Sequence, residues 1–270
     1  MYQELGLREE AVATLAKASA LSDTGLKDPA ANAAARLSAS FHLGKLLLEG
    51  GEATRALPVL EEVWRRGGAA AAANLVGEAH ERLGRPDEAE AWYKRSLRAN
   101  PGHVAAHLTM GRMLARNLTR APEAEGWFRR AVEQAPGEAR VYSHYGLYLM
   151  DQARHAEAAT ALATAASLDP ANYDAVFNAA VAAREAGQLE AAERWYRGAV
   201  ALRPADASPH MNLGALLHLV GRLREAEAAY LEAWRLGHGQ EATRTNLRRL
   251  HGLMRARGLE VARVEGLGDT

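Results

Sequence analysis

The stretch MNLGALLHLVGRLREAEAAYLEAWRL at residues 211–236 decides the reading of this chain, because near copies of it recur along the sequence. Aligned on Gly214, the copies place a small residue at Gly44, Gly77, Gly111, Gly146 and Ala180, at intervals of 33 to 35 residues. A second small residue keeps step at Ala56, Ala89, Ala124, Ala158, Ala192 and Ala226. A bulky one follows at Leu60, Tyr93, Phe128, Leu162, Tyr196 and Tyr230, and a third small one at Val63, Ser96, Ala131, Ala165, Ala199 and Ala233. Pro101, Pro136, Pro170 and Pro204 close four of the units. Every copy is separate support for the same register, so the period is a strong signal of a repeat architecture.

Each unit reads as two helices. A polar turn, GRPDEA at 84–89 or GRLREA at 221–226, lies between the first and second small positions. Apolar residues at helical spacing flank it, and no alternating strand pattern competes. A glycine inside a helix costs roughly 0.5–1 kcal/mol relative to alanine, so its recurrence in the first helix calls for a close helix–helix approach. The expected packing sets Gly77 against the small Ala89 of the second helix, with Tyr93 filling the gap toward the neighbouring unit. The closing proline ends the second helix by removing a donor and restricting the residue before it.

Over residues 37–238 these landmarks resemble the tetratricopeptide repeat, which has the same order of small, small, aromatic, small and proline positions. The resemblance implies an all-α fold, a right-handed superhelix (an α-α solenoid) of about six helix pairs with a terminal capping helix. The first helix of each pair would line a concave groove. Three departures stand out: Pro58 inside a second helix, expected to kink it; Ala180 in place of a glycine; and an extra residue between Gly111 and Ala124.

The ends depart further. Residues 1–36 read as a partial N-terminal repeat: YQELGLREEAVATLAKASA at 2–20 has the pattern of the tail of a first helix and a whole second helix. The segment SDTGLKDPAANAA at 22–34 then forms a longer connection. The chain is therefore expected to open inside a repeat. Residues 239–260 read as an amphipathic, basic capping helix and residues 261–270 as a loosely ordered tail.

Composition narrows the function. Lys+Arg and Asp+Glu are both 33, so the formal charge is zero and a large basic field for nucleic acid or an anionic membrane is not expected. No apolar stretch approaches the roughly 18 residues of a membrane helix, so this segment itself is not expected to contact the membrane. Cysteine is absent, which removes disulfides, thiolate zinc sites and thiol nucleophiles. There is no phosphate-cradling Gly-Lys-Ser/Thr loop and no Gly-x-Ser-x-Gly elbow. His103 and His107 stand four apart, but no third ligand falls at a useful spacing, so no metal is assigned. Most carboxylates, such as Asp87, Glu88, Glu123 and Glu225, precede second helices and complement their dipoles. No catalytic residue and no cofactor are assigned to this segment.

Binding is the better candidate. Two residues before the small position of the first helix stand His42, Leu75, Thr109, His144, Asn178, Asn212 and Asn246. In the tetratricopeptide family this position faces the concave surface. An amide carries both a donor and an acceptor, so Asn178, Asn212 and Asn246 could hold the backbone of an extended peptide. They could equally hydrogen-bond within their own helix pair. His144, Phe177 and Met211 would line the same groove, the last two with apolar contact. The clamp that some repeats of this type use for a terminal carboxylate needs lysine where this chain carries Phe41, Asn74, Leu108, Ser143, Phe177 and Met211, and asparagine where it carries Lys45, Glu78, Arg112, Leu147, Val181 and Ala215, so no clamp is expected. Trp92, Trp127 and Trp195 share one position and read as packing between units. Asn117-Leu118-Thr119 is a glycosylation sequon in an exposed turn.

NYDAVFNAA at 172–180, PHMNLGALLHLVGRLREAEAAYLEAWRL at 209–236 and TNLRRLHGLMRARGL at 245–259 look like the end of the transmembrane and tetratricopeptide-repeat-containing O-mannosyltransferases. That family joins a multi-spanning membrane enzyme to a repeat array in the endoplasmic reticulum lumen. It moves mannose from dolichyl phosphate mannose to serine or threonine of acceptor proteins, cadherins among them. The resemblance implies a non-catalytic arm that presents acceptor or partner polypeptide, and none of the family's catalytic residues can be carried onto this sequence. The Gly237-His238-Gly239 junction departs from the family, which closes that unit with proline. The alternative is a stand-alone cytoplasmic scaffold whose helices recruit other proteins.

Overall fold

In a computed structural model of the chain, residues 2–20, 29–237 and 241–263 are described. Among them every regular element is helical, and the chain divides into two compact units, 1–135 and 136–270. The first holds α1 (Tyr2–Ser19), α2 (Pro29–Glu49), α3 (Ala53–Gly67), α4 (Ala70–Arg82), α5 (Pro86–Ala99), α6 (Val104–Ala115), a 3-10 turn (Leu118–Arg120) and α7 (Ala121–Gln134). The second holds α8 (Ala139–Asp151), α9 (His155–Leu168), α10 (Tyr173–Glu185), α11 (Leu189–Leu202), α12 (Ala207–Leu219), α13 (Leu223–Leu236) and α14 (Glu241–Ala256).

Consecutive helices pair as hairpins, α2 with α3, α4 with α5 and α6 with α7 in the first unit, α8 with α9, α10 with α11 and α12 with α13 in the second. Within each unit a second helix also packs on the first helix of the next hairpin, as α3 on α4 and α11 on α12. Each unit is thus an all-α stack of the solenoid kind, in which each hairpin buries its apolar face against its neighbours within the unit. α1 packs on α2 and adds Val12 and Leu15 to the core of the first unit. It is one helix, not the tail of one and the whole of another. The 22–34 connection and the Gly237-His238-Gly239 junction lie largely outside the described residues.

The recurrent glycine lies against the bulky residue of the second helix. A Cβ built on Gly44 would fall 2.5 Å from Leu60, one on Gly146 2.5 Å from Leu162, one on Gly214 2.7 Å from Tyr230, and one on Gly111 3.0 Å from Phe128. At Gly77 the three nearest atoms all belong to Tyr93. The small residue of the first helix therefore receives the bulky residue of its own hairpin, and Tyr93 does not turn away toward the next unit. Tyr93, Tyr196 and Tyr230 are among the largest fully buried side chains. The packing gain of that insertion offsets the helix-propensity cost of glycine.

Turns follow one design. In the hairpins of α2, α4, α8, α10 and α12 a residue with positive φ (Gly51, Gly84, Ala153, Gly187, Gly221) ends the first helix. The next amide then bonds back to a carbonyl five residues earlier, at 2.8–2.9 Å in all five. This is the glycine C-cap that satisfies otherwise orphaned carbonyls. In the remaining hairpin the extra residue, Asn117, replaces it with the 3-10 turn. The prolines act as expected: Asn100, Ala135, Asp169 and Arg203, each before a proline, have φ between −135 and −144 and end their helices. Pro58 sits in the first half of α3, on its exposed face, and the helix continues through it.

The second unit ends on α14. His251 of α14 lies 2.9 Å from the carboxylate of Glu227 on α13, and both are buried. Gly258 caps α14 with the same positive φ as the turns. The chain then runs back along α13, where the Ala262 amide donates to Glu227 at 2.7 Å and Arg224 donates to the Glu260 carbonyl at 2.6 Å. Leu259 and Val261 pack on the core of the unit. Of the tail expected at 261–270, residues 264–270 lie outside the described residues.

Candidate binding surface

The residues singled out for the groove occupy one register on α8, α10, α12 and α14. His144, Asn178, Asn212 and Asn246 are all half-buried. Asn212 Nδ2 donates to the Ser208 carbonyl of its own helix at 2.9 Å, so part of that amide is engaged internally. Asn178 and Asn246 make no side-chain hydrogen bond among the described residues, which leaves a donor and an acceptor on each. Phe177 stacks on Tyr173, 5.7 Å between centroids, and meets Tyr196 edge to face at 6.0 Å. Phe177 and Met211 both pack, half-buried, on the core of the second unit.

In the first unit the register residue Thr109 is engaged by a side chain of the unit itself. Thr109 Oγ1 on α6 donates to Asn74 Oδ1 on α4 at 2.7 Å, and Asn74 Nδ2 donates to Glu78 at 2.8 Å. Burial pushes the Glu78 carboxyl above its ordinary 4.5, against the pull of Arg112 and Arg82. Glu81 accepts from Tyr93 Oη at 2.8 Å and pairs with Arg116 at 2.6 Å. This network joins α4 to α6 and had no sequence signal beyond Asn74 preceding the ladder position by one residue.

The other singled-out residues have structural partners. His103 Nδ1 lies 2.9 Å from Ser96 Oγ, and His107 Nε2 lies 2.8 Å from the Pro101 carbonyl, so both rings brace the turn between α5 and α6. Trp92 meets Trp64 of the preceding hairpin, Trp127 packs on His107, and Trp195 lies at the edge of the second core. Asn117 is exposed, and its Oδ1 accepts from the Thr119 amide at 3.1 Å and hydroxyl at 2.7 Å, an Asx turn. Among the described residues no group of three metal-ligating side chains comes together and no helix is long and apolar enough to cross a membrane.

The description "Tetratricopeptide repeat" matches residues 41–104, 94–139 and 146–209, more than half of the sequence. The chain belongs to the tetratricopeptide repeat family. It is 43% identical over 95% of its length to Protein O-mannosyl-transferase TMTC2 of Homo sapiens, of which it spans 31%. The resemblance read from residues 172–259 is thereby borne out. Among solved structures it is similar to PilW, a type IV pilus biogenesis factor, with TM-score 0.63 and 17% identity, over 78% of this chain and 98% of that one. It is likewise similar to MamA of Desulfovibrio magneticus RS-1, with TM-score 0.55 and 22% identity, over 64% of this chain and 97% of that one. These two show the fold alone.

Proposed function

We propose that the chain is the non-catalytic, protein-binding repeat region of a membrane protein O-mannosyltransferase, placed in the endoplasmic reticulum lumen. Its groove presents an extended acceptor polypeptide, cadherins being one class, or another protein partner. The similarity to the human relative supports the assignment, and the chain spans 31% of that relative, so on this reading the transfer of mannose belongs to the rest of such a protein. The observation that carries the binding role is the pair of half-buried amides at one register, Asn178 and Asn246, with donor and acceptor both unused. Extended backbone offers the complementary groups at a regular rise.

Replacing Asn178, Asn212 and Asn246 together with alanine is expected to weaken binding of an unstructured Ser/Thr-rich acceptor peptide while far-UV circular dichroism stays unchanged. Because Asn212 already donates to Ser208, its single replacement is expected to lose less than either of the other two. Unaltered peptide binding by the triple variant would remove the ladder as the site.

In the lumen, Asn117 would carry a glycan, since its amide nitrogen lies exposed in a turn that already engages Thr119. Secretory expression followed by glycosidase treatment reads this directly; a mass that does not change would remove the sequon as support for the lumenal reading.

A further inference from the structure

Glu61, Trp64 and Arg65 stand at i, i+3 and i+4 along one face of α3, and together with its C-cap Gly68 and with Trp92 of α5 they line a cleft of about 510 Å³. Trp64 and Trp92 meet edge to face at 6.0 Å with their planes 87° apart, so the two indoles form a corner. The cleft lies in the first unit, on residues outside the register of Asn178, Asn212 and Asn246.

Other tryptophans of this chain already hold guanidinium groups. Arg95 lies 4.2 Å from the ring centre of Trp92, and Arg130 lies 4.7 Å from that of Trp127, each supplied by the residue three positions further along the helix. Arg244 lies 5.7 Å from the ring of Trp234. Trp64 has Gly67 at the corresponding place and no cation over its ring among the described residues. Its neighbours Arg65 and Arg66 are both held by Glu62. Glu61, half-buried in the cleft, makes no ion pair and no hydrogen bond among the described residues. Across the helix pair its charge acts on His80 of α4, whose pKa is lowered by burial.

A planar cation suits this arrangement. A guanidinium is weakly hydrated, stacks on an indole and can donate to a carboxylate in the same plane, which an ammonium cannot do as well. We propose that the corner of Trp64, Trp92 and Glu61 binds the side chain of an arginine in a partner polypeptide, stacked on Trp64 and neutralised by Glu61.

The probe is N-acetyl-glycyl-arginyl-glycinamide, titrated at millimolar concentration into the ¹⁵N-labelled chain while the indole N–H signals of Trp64 and Trp92 are followed. The arginine peptide is expected to shift both signals, and the counterpart with neutral citrulline is not. Glu61→Gln, nearly isosteric at a half-buried position, is expected to weaken binding about tenfold with unchanged helicity. Trp64→Phe keeps an aromatic wall and is expected to weaken binding as well. An equal response to citrulline, full binding by Glu61→Gln, or no shift with the arginine peptide would each overturn the proposal.

Discussion

Gly214 and Tyr230 occupy one space: a Cβ on the glycine of α12 would lie 2.7 Å from the tyrosine ring of α13. Two effects of Gly214→Ala oppose each other. Alanine raises helix propensity by about 0.5–1 kcal/mol, whereas forcing an extra carbon into a filled core costs about 1–3 kcal/mol. The second is larger, so a net loss of about 1–2 kcal/mol is expected. Urea unfolding of the variant measures it, and a stabilised variant would mean that the ring moves freely.

Tyr93 and Tyr196 hold equivalent positions but differ at the hydroxyl. Tyr93 Oη donates to Glu81 at 2.8 Å, while Tyr196 Oη is buried with no partner among the described residues. Tyr93→Phe is therefore expected to cost about 1–2 kcal/mol, because a bond to a charged group is lost. Tyr196→Phe is expected to be neutral or to stabilise by up to about 1 kcal/mol. Thermal unfolding of the two variants side by side tests the contrast, and equal losses would contradict it.

Ala153 is the exception among the turn residues. Its φ of 55 lies in the left-handed region that glycine fills at four equivalent turns. A left-handed L-residue costs about 1–2 kcal/mol, of which part is recovered because alanine restricts the unfolded chain more than glycine does. Ala153→Gly is expected to stabilise the second unit by about 0.5–1 kcal/mol. Hydrogen exchange of the α8–α9 amides would register the gain.

Glu78 ties stability to pH. Burial raises its folded pKa above 4.5, so the folded state holds its proton more tightly than the unfolded chain does. Ionised Glu78 thus disfavours the fold, fully above its folded pKa and not at all below 4.5, where both states are protonated. Glu78→Gln keeps an acceptor for Asn74 and is expected to melt higher than the parent chain at pH 7, with the difference closing as pH falls through that window. A difference that stays constant with pH would assign the effect to packing. His80, His107 and His218 act in the opposite sense: burial lowers their pKa, so they contribute stability above 6.5 that is lost on acidification.

Much of this could be read from residue order. The period of 33 to 35 residues and the helix pairing follow from local chemistry repeated six times, the proline stops from four prolines, and the structure reproduces each of them. The capping helix was legible for the same reason, since 239–260 is amphipathic. The asparagine register was visible as a spacing, but its occupancy was not. Whether an amide is spent on its own helix, as in Asn212, or left open, as in Asn178, depends on the rotamer and the surrounding surface.

Which residue fills which gap was decided in three dimensions. Periodicity places a glycine and an aromatic on facing helices, yet it does not say that Tyr93 turns back onto Gly77 of its own hairpin, because helix rotation and side-chain volume settle that jointly. Nor does it show the pairing of Glu227 with His251 or the corner of Trp64 and Trp92, whose members come from different helices. Backbone propensity and repeated apolar spacing act within about one helical turn and so are written in the chain. Contacts between hairpins depend on shape complementarity over distances that no local pattern encodes.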